Sequence, residues 1–117
     1  MDELISRLVA NVGVDQAVAE KAVGIILAFL VKEGPSEKVQ ALINQIPGAE
    51  TAVQAASAEG GVMGGIMGVG TKLMAAGLSM SEMQAVTREI IAYAREKAGE
   101  DAVGEIVGSI PGLGQFI

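Results

Sequence analysis

The amino-acid sequence predicts an all-α fold, and three observations support that prediction. Apolar residues recur at helical spacing along most of the chain, as is typical of buried helix faces. The clearest series is Val18, Ala22, Ile25, Ile26 and Phe29. The chain has one tyrosine, two phenylalanines and no tryptophan, so aliphatic side chains and methionine must fill its core, whereas strands favour aromatic and β-branched residues. With 117 residues, half of them hydrophobic, it is long enough for one domain with its own core.

The stretch at residues 22–31 is the centre of the predicted fold. It contains no charged residue, and its apolar side chains cover most of a helix circumference, so the helix must be buried on several sides or lie in a membrane. Ten residues of helix rise only about 15 Å, whereas a bilayer core needs roughly 20 apolar residues. We therefore expect a central core helix and no membrane span. Gly24 lies inside this helix, and we expect a neighbouring helix to approach closely there.

Three helices are predicted in the first part of the chain, at about residues 2–12, 15–33 and 35–46. The first ends at Gly13, the second has Asp15 as its N-cap, and the third ends at Pro47. The apolar stripe of the first helix is Leu4, Ile5, Leu8, Val9 and Val12. Residues 49–58 predict a further helix with a weak apolar face.

The second part of the chain predicts another set of helices. Residues 71–76 form or continue a short helix that a glycine turn ends. Ser79 and Glu82 have the spacing of a capping box, which predicts a long helix from there to about residue 98. Tyr93 lies on the core face of that helix. A last helix covers about residues 100–110.

The two parts resemble each other when the chain is shifted by 64 residues. Residues 46–48, Ile-Pro-Gly, then fall on residues 110–112, also Ile-Pro-Gly, and Phe29 falls on Tyr93. We therefore predict a single helical domain over residues 1–117, a compact array of two similar three-helix halves joined by a Gly/Met-rich linker. The predicted boundaries are residues 2–48 and 66–112 for the halves and residues 59–65 for the linker.

The Gly/Met-rich segment at residues 60–70 contains six glycines and two methionines. So many glycines cost a helix roughly 5 kcal/mol relative to alanine, which favours an irregular linker over a helix whose small residues let another backbone approach. Methionine side chains here and nearby either cover the core or form a surface for a partner or an apolar ligand. The candidate surface consists of Met63, Met67, Met74 and Met83.

The amino-acid composition argues against several classes of function. The net charge of −6 and the scattered basic residues argue against binding nucleic acid through its phosphates. The chain has no histidine and no cysteine, so the commonest general base, the thiolate nucleophile and the usual transition-metal ligands are missing. We therefore predict no catalytic residue, cofactor or metal. The N-terminal residues lack the basic region and apolar run of a signal peptide, which indicates a cytoplasmic protein.

Two weaker motifs favour structural explanations. Residues 65–72 resemble a phosphate-binding loop, but Thr71 and Lys72 stand in the reverse of the required order and no strand is predicted before them. A cluster of acidic residues has spacings at which a hard cation is conceivable, yet a helix break near Gly99 interrupts it. The cluster consists of Glu96, Glu100, Asp101 and Glu105. We expect most of these carboxylates to be surface charges that complement helix dipoles.

The order of these motifs resembles that of known small bacterial proteins. The segments that carry the resemblance are NVGVDQAVAEKAVGIILAFL (residues 11–30), GPSEKVQALINQIPGAE (residues 34–50) and AVGEIVGSIPG (residues 102–112). The pattern is similar to the bacterial domain-of-unknown-function 2267 family and to the VcgC/VcgE-like helical family. The resemblance covers most of the chain and implies an all-helical fold. It implies no established activity and carries over no catalytic residues.

We expect a non-enzymatic protein-interaction or structural module that binds a protein partner or self-associates as a homo-oligomer. The reason is the apolar surplus of a small acidic chain, whose mean hydropathy is +0.47. The alternative is a binder of a small apolar ligand between the two helical halves, near the four methionines. An enzyme would need a pair of carboxylates facing each other in a polar cleft.

Overall fold

The computed structural model describes residues 2–58 and 65–110 of the chain. Within these residues there are seven α-helices and no strand, so the predicted all-α fold is confirmed. The helices are α1 (Asp2–Asn11), α2 (Gln16–Glu33), α3 (Ser36–Gln45), α4 (Ala49–Ala58), α5 (Gly65–Ala75), α6 (Met80–Ala98) and α7 (Glu100–Ser109).

Helix α2 is the centre of the core. Every residue at 22–30 is buried, because α1, α3, α4, α5 and α6 all pack against this helix. The predicted central core helix is therefore confirmed, although Val31 at its end is 38% exposed. Among the described helices, none is both long enough and apolar enough to cross a bilayer.

Several helix ends follow their sequence signals. The Ser79 hydroxyl accepts a hydrogen bond from the Glu82 backbone N–H, and the Ser79 backbone N–H donates to the Glu82 carboxylate, which completes the predicted capping box of α6. Gly13 and Gly77, with φ angles of 86° and 108°, follow the ends of α1 and α5. Asp15 occupies the N-cap position of α2, but its side chain accepts no capping hydrogen bond.

Residues 65–70 belong to a helix, which corrects the prediction of an irregular linker through residues 60–70. Helix α5 begins at Gly65 in spite of three glycines in its first six residues. Val69 and Leu73 are 2% and 0% exposed. Burial of two aliphatic side chains stabilises by about 3–6 kcal/mol, which offsets the roughly 3 kcal/mol that three glycines cost a helix. Residues 59–64 of the predicted linker lie outside the described residues.

The helix bounds of the two parts follow the offset of 64 residues. Helices α2 and α6 begin 64 residues apart, as do α3 and α7. Ile46 and Ile110 cap α3 and α7 with the same φ of −109° and with ψ angles of 104° and 109°. Helix α4 belongs to neither predicted half. The repeat of one arrangement in space stays a prediction.

Helix α1 is fixed against α6 by a cluster of charged groups around one ring. The Arg7 guanidinium pairs with Glu96 at 2.6 Å and with Glu89 at 3.5 Å, and it lies 5.6 Å from the centre of the Tyr93 ring. The Lys97 ammonium lies 5.4 Å from the same ring centre. The hydrogen bond with Glu96 raises the pKa of Arg7 above its ordinary value, so this side chain stays cationic. Tyr93 is 2% exposed, as predicted for a core residue.

Candidate binding groove

Helices α2 and α4 approach closely because Gly24 has no side chain. A Cβ atom at Gly24 would lie 2.8 Å from the backbone oxygen of Ala52 and 3.5 Å from the Cβ of Ala56. Real Cβ atoms essentially never come within 3.0 Å of another heavy atom, so only glycine fits there without a shift of α4. The close approach of a neighbouring helix at Gly24 is thereby confirmed.

A groove opens beside this contact, between α1, α2 and α4. Its volume is about 570 Å³. Most of its lining is apolar, and it includes Ile5 from α1, Ala17, Gly24 and Ile25 from α2, and Ala52 and Ala55 from α4. The alanines and the glycine leave the space that larger side chains would fill. The volume lies within the range of roughly 300–1,000 Å³ that is typical of small-molecule sites.

Three polar side chains also line the groove, namely Glu20 and Lys21 from α2 and Thr51 from α4. All three are exposed. Ala17, Lys21 and Gly24 follow one another at i, i+4 and i+7, so Lys21 lies on the same face of α2 as the apolar floor. No carboxylate in the described ranges, residues 2–58 and 65–110, lies within ion-pair distance of the Lys21 ammonium.

A second depression of about 290 Å³ adjoins the groove along α1. Ile5 lines both, so the apolar surface continues from one into the other. Val9 also lines this depression and is 39% exposed. Val9 belongs to the apolar stripe predicted for the first helix, but it is not on the buried part of that stripe. Leu4, Ile5 and Leu8 already fill the buried face of α1, and Val9 lies at its margin.

The four methionines of the predicted surface have different surroundings. Met74 is 59% exposed near the end of α5, whereas Met83 on α6 is 1% exposed and belongs to the core. Neither of these two lines the groove. Met63 lies outside the described residues, and of Met67 only its place in α5 is described. The methionine surface as a whole stays a prediction.

Two acidic residues of the predicted cluster form ion pairs, and the glycine-rich motif belongs to a helix. Glu96 pairs with Arg7, and Glu105 pairs with Lys38 across α7 and α3. In the part of the chain that the structure describes, no three acidic side chains come together in a way that could hold a metal ion. Residues 65–70, the start of the motif that resembles a phosphate loop, are the first turns of α5.

The groove was not predicted from the sequence. The pattern that could have indicated it is the combination of Gly24 in the central helix with the alanines of residues 49–58. Small residues of this kind indicate that two helices pack closely, but they do not identify the partner helix. Only the structure shows that α4 is the helix that faces Gly24.

No protein-family model, no curated protein and no solved structure matches the chain. The resemblance to the domain-of-unknown-function 2267 family stays a prediction from its helix and Pro-Gly motifs.

Proposed function

We propose that the chain is a non-enzymatic binding protein that holds a small apolar molecule, or the apolar part of one, in the groove between α1, α2 and α4. The groove itself is the main support for this proposal: it has a volume of about 570 Å³, a mainly apolar lining and a few polar side chains. Binding of a small apolar ligand was the alternative function predicted from the sequence, which placed the ligand between the two helical halves, near the methionines.

The chemistry of the chain supports binding rather than catalysis. The chain has neither histidine nor cysteine. Among the described residues, Thr87 is the only buried polar side chain apart from the core tyrosine Tyr93, and the Thr87 hydroxyl donates to the backbone oxygen of Met83. A catalytic site needs a base or nucleophile held in place beside the bound molecule. The polar side chains of the groove are instead exposed to water.

A dye titration tests the groove as the binding site. Nile red is uncharged, and its emission rises in apolar surroundings. The dye is titrated with the wild-type chain and with Ala55→Arg, which places a long cationic side chain in the wall that α4 provides. Gln54→Arg is the matched control, because Gln54 is the neighbouring exposed residue of α4 and does not line the groove.

We expect the wild type to bind one dye per chain, Ala55→Arg to weaken binding by at least roughly tenfold, and Gln54→Arg to leave it unchanged. A tenfold loss corresponds to about 1.4 kcal/mol, a modest value for placing a cation against an apolar ligand. Absence of saturable binding by the wild type, or an equal effect of both variants, would contradict the proposal.

A protein-interaction function is the second candidate, and two exposed methionines favour it. Met74 and Met80 are 59% and 68% exposed on either side of the turn between α5 and α6. Methionine side chains adapt to varied partners and recur at protein-binding surfaces. A protein partner, or a second copy of the chain, would cover them. A protein interaction was the first expectation from the sequence, but of these two methionines only Met74 belonged to the predicted surface.

Sedimentation equilibrium over a concentration series tests self-association through these methionines. We expect Met80→Glu to shift an associating wild type towards the monomer, because a carboxylate is costly to bury in an apolar contact. Gln54→Glu, at an exposed position of α4, is the control and should leave association unchanged. A wild type that stays monomeric at the highest concentration would exclude self-association by this surface.

A further inference from the structure

We infer that the groove takes an unbranched aliphatic carboxylate, a free fatty acid of medium chain length, with its chain along the floor and its head group against Lys21. This inference rests on the proposed function and names the ligand class for the same site. Three features of the groove support it, namely the length of its floor, the cation on that floor and the position of the opposing charge.

The floor of the groove suits an elongated chain. Ala17, Gly24 and Ile25 lie on one face of α2 and line the groove. From residue 17 to residue 25 a helix rises about 12 Å, which is roughly the length of an extended ten-carbon chain. Lys21 lies midway along this rise, but side chains of a helix lean toward its N-terminus, so the long lysine stem can bring the ammonium back to the level of Ala17. Ile5 on α1 and Ala52 on α4 flank this face. The methylene groups of the ligand would therefore contact aliphatic carbon along most of their length.

Lys21 supplies the charge that a carboxylate head group needs. Its side chain lines the groove, and no acidic side chain of the described residues pairs with it. The long aliphatic stem of lysine covers apolar surface while its ammonium stays at the water boundary. Thr51 on α4 also lines the groove and adds a hydroxyl donor to its wall.

Glu20 is the opposing charge at the same groove. Successive residues of a helix project about 100° apart, so Glu20 lies beside the row of Ala17, Lys21 and Gly24 on the surface of α2. Its carboxylate repels an anionic head group at short range. Neutralising Glu20 should therefore strengthen carboxylate binding, while neutralising Lys21 should weaken it, and neither change should affect an uncharged ligand of equal length.

Displacement of Nile red by decanoate and by 1-decanol, both below their solubility and micelle limits, tests the inference. We expect the wild type to bind decanoate about two- to fivefold more tightly than decanol, the range of an exposed ion pair. Lys21→Gln should abolish that preference, and Glu20→Gln should increase it. Decanoate should also bind more tightly than hexanoate, by up to about fourfold for each additional methylene.

Different outcomes test the fatty-acid inference and the proposed binding function. Equal binding of decanoate and decanol by the wild type, or a preference that survives in Lys21→Gln, would overturn the fatty-acid inference and leave an apolar groove. Hexanoate and decanoate of equal affinity would overturn it as well, because the chain would then lie outside the groove. Failure of the wild type to bind any of these ligands or the dye would overturn the proposed function itself. Both substituted residues are exposed, and circular dichroism checks that the variants stay folded.

Discussion

Replacement of Gly24 by alanine tests the close contact between α2 and α4. The new Cβ would lie 2.8 Å from the backbone oxygen of Ala52. That oxygen belongs to the backbone of a packed helix, so it cannot rotate away as the end of a side chain could, and α4 must move. Overpacking of this kind costs about 1–3 kcal/mol, whereas replacing glycine inside a helix gains up to about 1 kcal/mol.

Gly104→Ala is the matched control for this substitution. Gly104 lies inside α7, and a Cβ there would meet no heavy atom within 4 Å. The gain in helix propensity is then unopposed, so Gly104→Ala should be more stable than the wild type by about 0.5–1 kcal/mol. Because both variants share the propensity gain, Gly24→Ala should be less stable than Gly104→Ala by about 1–3 kcal/mol.

Urea unfolding followed by far-ultraviolet circular dichroism measures this difference as a shift in midpoint at constant slope. Adding Ala52→Gly to Gly24→Ala should not restore stability, because the atom that is contacted belongs to the backbone. Unfolding free energies of Gly24→Ala and Gly104→Ala that agree within about 0.5 kcal/mol would refute the contact and, with it, the close α2–α4 packing beside the groove.

Three further contacts can be probed by the same unfolding assay, two of them with a control substitution. Ser79→Ala removes the hydroxyl of the capping box and should lower the free energy of unfolding by about 1 kcal/mol; an unchanged value would mean that the box does not stabilise α6. Arg7→Gln should cost up to about 1 kcal/mol at low ionic strength and less in about 1 M salt, whereas Arg88→Gln at an exposed position should cost nothing measurable at either. Leu27→Ala, at a position that is 0% exposed, should cost about 2–5 kcal/mol, and Met74→Ala should stay within about 0.5 kcal/mol.

The helices were predictable from the sequence because most of their signals are local. The capping box at Ser79 lies within four residues, and the turn at Gly77 depends on the backbone freedom of one residue. The apolar run at residues 22–30 needs no knowledge of its neighbours, because a helix that is apolar all round must be covered wherever its partners come from.

Helix α5 and the groove depend on contacts between distant parts of the chain, which local signals do not contain. The glycines at the start of α5 argue against a helix, but burial of Val69 and Leu73 outweighs them. The groove exists because small residues of α2 and α4 face each other at Gly24, and nothing local pairs those two segments. For the same reason the sequence did not show that Lys21 would line an apolar groove.

Tyr93 is the only tyrosine of a chain that has no tryptophan, and it lies where α1 meets α6. Its ultraviolet emission therefore reports on the contact between α1 and α6, whereas the far-ultraviolet circular dichroism signal averages over every helix. On slow heating, an N-terminal helix that detaches early would change the emission before the ellipticity, whereas a molecule that melts as one body would change both at the same temperature. Because Ile5 of α1 lines the groove, Tyr93 emission also follows the detachment of α1 from the groove, and no added label is needed.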